Sequence, residues 1–548
     1  MPDAARMRRN GPRPPPGTRS FERQRTGFTM TGLWRSAKHI LALLRIGVLL
    51  ARHDALFPLE WLAFGAIFVR LTRFFLPPRA EVAGLRPGVR IALALQRLGP
   101  SYIKLGQALS TRSDLIGEEM AADLSSLQDR LPPFPGVEAI AVIEAELGQP
   151  IDKLFSTFDA QPVAAASVAQ VHFATTTEGL DVAVKVLRPG VAAAFARDLD
   201  LLLWLAERIE QWRPEWQRVH PIEIVRRLHE SVEFEMDLRL EAAAAAELAE
   251  NFKDDPWFRV PRIDWSRTAK RILVTERIRA IQIGDKDAIL ATGLEPRMLV
   301  GRAAAAFFAM VFRDGFFHAD LHPGNLFVSE DGVLIAVDFG IMGRLDRKHR
   351  YYLADMLLGF LTGDYRKVAQ VHFDAGFVPP TESVDAFTQA CRSIGEPLLE
   401  RPLEQISVAR LLSQLFQITR QFRMETQPQL LMLQKTMVLA EGLGRQLDPT
   451  VNMWELARPL IEEWMALNRS APARAMIGAA DLLAGLERLP SLLSDVEHTL
   501  KQLAHGGLPI HPDTVKLLQG PQGRGPLFWP LWIAALALAG MALASWLR

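Results

Sequence analysis

Two histidines, an aspartate and an asparagine fall together in "HADLHPGN", residues 318–325. Histidines at i and i+4 can hold zinc when both lie on one helical face with a glutamate between them. Here Pro323-Gly324 argues for a loop, the acid stands at the wrong position and no third ligand is apparent, so zinc is set aside. Phosphoryl transfer makes more of the same residues. A kinase catalytic loop needs a carboxylate to orient and deprotonate a hydroxyl, then an asparagine five residues later to hold Mg²⁺. Asp320 and Asn325 have that spacing, after His318.

Other parts of a phosphoryl-transfer site follow the same order along the chain. "DFG" (Asp338-Phe339-Gly340) comes after the apolar strand "VLIAV", and its aspartate can chelate a metal bridging the β and γ phosphates. "VAVKVL" centres Lys185 in an alternating strand, like the lysine that contacts the α and β phosphates. The small-residue turn "AAAS" (164–167) lies some twenty residues before it. A carboxylate on a following helix should pair with Lys185, and "ESVEFEMDLRLEAAAAAEL" offers Glu235, Asp237 and Glu241.

These residues need strands and helices to position them. "PVAAASVAQVHFATTTEGLDVAVKVLRPG" (162–190) alternates like a β-hairpin, "RILVTERIRA" (271–280) reads as a strand, and 324–340 reads as a hairpin turning at Glu330-Asp331-Gly332. A charged helical stretch over 89–130, a helix near 136–148 and helices from about 191 to 252 surround them. From about 281 to 525 the chain reads as mostly helical.

Composition bounds the rest. With 548 residues, 49% hydrophobic and 23% charged, the chain is globular with an apolar bias and exceeds one ordinary domain. A net charge of +1 offers no basic field for nucleic acid, and the single Cys391 excludes an intramolecular disulfide or a Cys-rich zinc site. Residues 1–30 carry seven arginines and clustered prolines and are expected to be disordered. Segments 33–53 and 56–76 are apolar at helical spacing but keep Arg35, Lys38, Arg45, Glu60, Arg70 and Arg73, so they lie on something rather than span a bilayer, with core packing the commoner fate and a membrane surface the alternative. "LFWPLWIAALALAGMALASWLR", Leu527 to Arg548, is free of charge until its last residue and reads as a transmembrane helix, with Trp529, Trp532 and Trp546 near its ends.

With "KLGQ" (104–107), "AAASVAQVH", "VAVK", "EMDLRLEA", "HADLHPGN" and "DFG" in register, the chain resembles the UbiB family of atypical kinases, also called ABC1 or ADCK, over roughly residues 90–450. The resemblance implies an α+β, bilobal protein-kinase-like fold with a family-specific N-terminal helical extension (KxGQ) and a C-terminal transmembrane helix. The expected organisation is a basic tail (1–30), amphipathic helices (31–88), the extension (89–160), N-lobe (161–280), C-lobe (281–450), a helical region (451–525) and an anchor (526–548). It implies that Asp320 is catalytic, that Asn325 and Asp338 hold metal, and that Lys185 binds nucleotide with Ala164, Ala165, Ala166, Ser167, Val168, Ala169, Gln170, Val171 and His172. Glu276 would stand at the adenine hinge. Lys104 and Gln107, one face of the extension helix, would cover the cleft near Glu235 and Asp237, which leaves Glu241 for Lys185.

Two departures from ordinary kinases have physical content. An alanine loop where protein kinases have G-x-G-x-x-G gives up positive-φ conformations and close phosphate approach. An extension over the cleft takes space that a protein substrate needs. The resemblance implies an Mg²⁺- and ATP- (or ADP-) dependent kinase-like ATPase supporting ubiquinone biosynthesis at the bacterial inner membrane. Expected partners are membrane lipid, quinone precursors, the enzymes of that pathway and a second copy of the chain. The alternatives are a non-catalytic nucleotide- and lipid-binding scaffold and a small-molecule (isoprenoid) kinase.

Overall fold

The computed structural model describes residues 30–57, 65–110, 116–125, 127, 131–212, 221–400, 418–419, 421–424, 428–450 and 453–469. The expected tail before residue 30 and the expected anchor at 526–548 lie outside the described residues. Among the described residues, no helix is long and apolar enough to cross a membrane.

Helices α1 (Met30–Arg52) and α2 (Gly65–Phe75) come first, joined by an apolar cluster of Ala51, Leu56 and Val69. The stretch expected as one charged helical run from 89 to 130 is broken: its described residues include the separate helices α3 (Pro87–Leu98), α4 (Pro100–Ser110) and α5 (Glu118–Ser125). The first break has a local cause. Gly99 takes φ +110°, and Pro100, which has no N–H to donate, opens the next helix. The three helices pack through Leu95, Tyr102 and Leu124. The glycine of "KLGQ" is part of this packing, since a Cβ on Gly106 would lie 2.5 Å from Leu127 Cδ1 and 2.8 Å from Leu95 Cδ1.

After α6 (Gly136–Leu147), which ends at left-handed Gly148, a sheet begins with β1 (Phe155–Phe158), six residues ahead of the expected boundary at 161. It continues with β2 (Ala164–Ala165), β3 (Ala169–Thr176) and β4 (Asp181–Leu187). Next come α7 (Val191–Trp212), α8 (Pro221–Glu235), α9 (Leu238–Asn251), β5 (Phe258–Arg259) and β6 (Ile272–Glu276). The five-stranded antiparallel sheet runs β1-β3-β4-β6, with β2 beside β3. Register pairs Lys185 with Val171 on one side and Leu273 on the other. Strand alternation then separates two cores. Ala169, Leu187 and Leu273 face Ala242 of α9, whereas Val184, Val186, Ile272 and Val274 face Phe134 and α6.

The second half holds β7 (Ile281–Gln282), α10 (Lys286–Ala291), α11 (Pro296–Phe308), β8 (Phe316–His318), β9 (Leu326–Val328), β10 (Leu334–Ala336) and β11 (Met342–Arg344). One sheet runs β5-β10-β9-β7, and β8 pairs with β11. Thus β8 delivers the "HADLHPGN" loop, β9 leaves it, and β10 leads into "DFG". Helices α12 (Arg347–Thr362), α13 (Tyr365–Asp374), α14 (Val384–Glu400), α15 (Pro428–Leu447) and α16 (Met453–Arg469) complete the described chain.

Candidate active site

Asp338 is brought to Lys185 by two strands from different sheets. Val337 N donates to Asn325 O at 2.9 Å, which locks the end of β10 to the end of the catalytic loop. Asp338 then turns with φ +62°, a left-handed conformation that a short polar residue tolerates better than most. Its Oδ1 accepts a hydrogen bond from Lys185 Nζ at 3.0 Å.

Lys185 also donates to both oxygens of Glu241, at 2.7 and 3.0 Å. Glu241 sits in the first turn of α9, and Asp237 caps that helix by accepting from Arg239 N. Three charges therefore share one place. Burial works against the Lys185 ammonium, but Asp338 and Glu241 more than restore it, and its pKa ends above the ordinary lysine value. Lys185 holds the Asp338 carboxyl down to about 2. Burial pushes Glu241 up to about 7, and Lys185 offsets only part of that rise.

The loop itself is braced by its histidines. His318 is fully buried; its Nδ1 accepts from Asp320 N at 3.1 Å, so its Nε2 is the donor to Val337 O at 3.2 Å. Burial lowers its pKa, in keeping with the neutral ring that this pattern requires. His322 caps the turn Pro323–Asn325 by accepting from Gly324 N. Asn325 Nδ2 donates to Asp320 O at 3.0 Å, which ties the two ends of the D-x-x-x-x-N segment.

The extension reaches the same place. Lys104 of α4 meets Glu235, the last residue of α8, at 2.9 Å, and its charge is felt at Asp338. Asp237 is turned to Arg239 rather than to Lys104, with a 2.6 Å ion pair. Gln107 is half-buried on α4, one turn from Lys104.

Part of the expected nucleotide segment does not face the cleft. Residues 164–172 are largely strand, and only Ala166, Ser167 and Val168 lie between β2 and β3. Lys185 pairs with Val171, so Val171 and Ala169 share its face while Gln170 and His172 point to the other. There the Gln170 side chain accepts from Phe134 N at 3.0 Å and donates to Phe134 O at 3.1 Å. Gln170 also meets His172 Nε2 at 2.8 Å, and His172 Nδ1 contacts Asp159 O. These two side chains are bonded within the far core, on the face opposite Lys185. Ala164 and Ala165 form the edge strand β2. Glu276 ends β6, with its carboxylate held by Arg259 and Arg262 and its N–H donated to Arg262 O. An adenine contact through either group would have to displace these partners.

One residue beside the candidate catalytic aspartate has no counterpart in the sequence motifs. Lys435, on α15, donates to Asp320 Oδ1 at 2.8 Å across 115 residues. Nothing near "LLMLQKTMVLAEGL" marks this lysine, which stands in an ordinary amphipathic helix.

The donor chemistry suits a hard divalent cation. A carboxylate (Asp338) and a side-chain amide (Asn325), brought together by the Val337–Asn325 bond, offer the oxygen ligands that Mg²⁺ prefers.

Comparison with known proteins places the chain in a family. An ABC1 atypical kinase-like domain matches residues 126–372, and a UbiB helical domain matches 391–452. A Marinobacter nauticus protein named probable protein kinase UbiB is 43% identical over 87% of this chain and 88% of its own length. The chain belongs to the UbiB family. A second UbiB relative, from Pseudomonas fluorescens, is 42% identical over 87% of this chain and 90% of its own. The solved complex of Rv3197 with erythromycin from Mycobacterium tuberculosis is 28% identical, with a TM-score of 0.47, covering 67% of this chain and 93% of that one. In UbiB terms, Lys185, Asp320, Asn325 and Asp338 lie in the kinase-like domain, whereas Lys435 comes from the helical domain.

Proposed function

We propose that this protein turns over Mg-ATP at the cleft between Lys185, Asp320 and Asp338, and that the turnover supports ubiquinone biosynthesis by presenting hydrophobic quinone precursors at the bacterial inner membrane. The observation that carries the reading is the contact of Lys185 with Glu241 at 2.7 Å and Asp338 at 3.0 Å, while Asp320 is tied to Asn325, the end of the loop that bonds to Val337 beside Asp338. Bound Mg²⁺, held by Asp338 and Asn325, would neutralise charge between the β and γ phosphates. Lys185, steadied by Glu241, would orient the α and β phosphates, and Asp338 beside it would be a ligand of the metal. Asp320 takes a proton of the attacking water while its backbone is held by His318 and Asn325.

The acceptor we propose is water. Lys104 lies close enough for its charge to act on Asp338, and the family resemblance implies that its helix takes space that a protein substrate would need. Membrane contact is supported by α1, which exposes Ile40, Leu41, Leu44 and Val48 along one side, and by Phe74 and Phe75, exposed at the end of α2. Lys38, Arg45 and Arg70 belong to the same two helices and suit anionic headgroups.

Quinone profiling of a deletion strain tests the reading. Complementation by wild type and failure of Asp320→Asn, both present at equal levels, is expected. Full quinone content with Asp320→Asn would instead favour a nucleotide-binding scaffold.

A further inference from the structure

The catalytic loop has no cation of its own for Asp320. His318 and His322 each accept a backbone N–H through Nδ1, at 3.1 Å in both cases, and are committed to holding the turn. The cation comes from α15, where Lys435 Nζ lies 2.8 Å from Asp320 Oδ1.

The partners are 49% and 31% exposed, and an exposed ion pair is too weak to place a helix. Something else positions Lys435. Ala440, Leu443 and Gly444 of α15 line an apolar cavity together with Leu321 and Leu326, the residues that directly follow Asp320 and Asn325. Gln446 Nε2 donates to Gly284 O at 2.9 Å, and the helix packs against α11 and against β11, the strand that follows "DFG". The helix is therefore seated on the catalytic loop by its own apolar face, and the lysine is carried to the aspartate by that packing.

We propose that Lys435 is a positioning residue for phosphoryl transfer, through which the UbiB helical domain completes the active site. The proposal rests on the phosphoryl-transfer reading above. Lys435 engages Oδ1 and thereby fixes the carboxylate plane, which leaves Oδ2 of Asp320 to face the nucleophile. In the step, the nucleophile's proton passes to Asp320 Oδ2, the new O–P bond forms, and the bond from the γ phosphorus to the β-phosphate oxygen breaks. ADP leaves with that electron pair, and Lys435 keeps its proton throughout.

The test is steady-state Mg-ATP turnover by the full-length protein in anionic lipid vesicles, for wild type, Lys435→Met, Lys435→Arg, Asp320→Asn and the Lys435→Met/Asp320→Asn pair. Lys435→Met is expected to lower kcat roughly 10- to 100-fold with the KM for ATP within about twofold, a loss confined to the transition state. Lys435→Arg should recover most of the rate, because it keeps the charge. In the Asp320→Asn background, Lys435→Met should cost nothing further, since it acts through that carboxylate. Wild-type kcat in Lys435→Met beside an inactive Asp320→Asn overturns this proposal alone. A loss as large in Lys435→Arg, or one that multiplies with Asp320→Asn, does the same. Asp320→Asn turning over at the wild-type rate overturns the phosphoryl-transfer reading and this proposal with it.

Discussion

Lys104 and Glu235 meet at 2.9 Å with about seven-eighths of each side chain withdrawn from solvent (12% and 13% exposed), joining the extension helix to the end of α8. Removing one member takes a close ion-pair partner from a largely buried charge. Lys104→Met should therefore destabilise the protein by about 3 kcal/mol, and Lys104→Met/Glu235→Gln should recover a substantial part of that loss. Denaturant unfolding of the wild type and the two variants checks it; equal losses in single and double variants would show that the pair is not coupled.

Glu241 gives the site a pH signature of two opposed signs. Its carboxyl rises from 4.5 to about 7 on folding, chiefly by burial, so folding takes up a proton there. The corresponding contribution to stability is fully present below about pH 4.5 and is lost as pH rises through 7. Activity runs the other way, because the ionised Glu241 is the form that steadies Lys185. The kcat/KM for ATP should rise with pH through an apparent pKa near 7, and Glu241→Gln should lower turnover and abolish that limb. A limb that persists in Glu241→Gln belongs to another group.

Gln170 distinguishes a core role from a nucleotide role. Its side chain satisfies both the N–H and the C=O of buried Phe134. Gln170→Leu keeps the bulk and orphans those groups, at a cost of about 1–3 kcal/mol in stability. Nucleotide affinity at a temperature where the variant is folded should be unchanged; a tenfold loss of affinity would restore Gln170 to the cleft.

Gly343 lies opposite Phe317 in the β8–β11 pair, and a Cβ there would run into the fully buried Phe317 ring. Gly343→Ala should cost about 1–3 kcal/mol by overpacking and should displace the strand that carries His318 into the loop. Thermal unfolding together with turnover at low temperature reads both effects. An unchanged Tm would show that the strands separate without strain.

These residues also show what a sequence can and cannot disclose. The period-2 alternation around Lys185, the turn residues of "HADLHPGN" and the apolar approach to "DFG" are local patterns, and each becomes a local element: β4, the loop between β8 and β9, and β10. Glu241 rather than Asp237 reaches Lys185 because Asp237 is spent capping α9, a role that its place before the helix makes readable. The facing of Gln170 and His172 is harder to foresee. A run of small residues looks like a loop until the register with β4 assigns alternate side chains to opposite cores. Lys435 is beyond local pattern altogether, because its position depends on a helix packing across 115 residues of chain. The break at Gly99-Pro100 is legible from the residue types, yet a charged helical periodicity running on either side conceals it.

Magnesium-dependent ATP hydrolysis by the full-length protein in anionic lipid vesicles, compared between wild type and Asp320→Asn, tests the central claim most directly. The account predicts turnover that requires Mg²⁺ and falls by roughly 100-fold or more in Asp320→Asn, with nucleotide affinity retained. Equal turnover in the two proteins would contradict it.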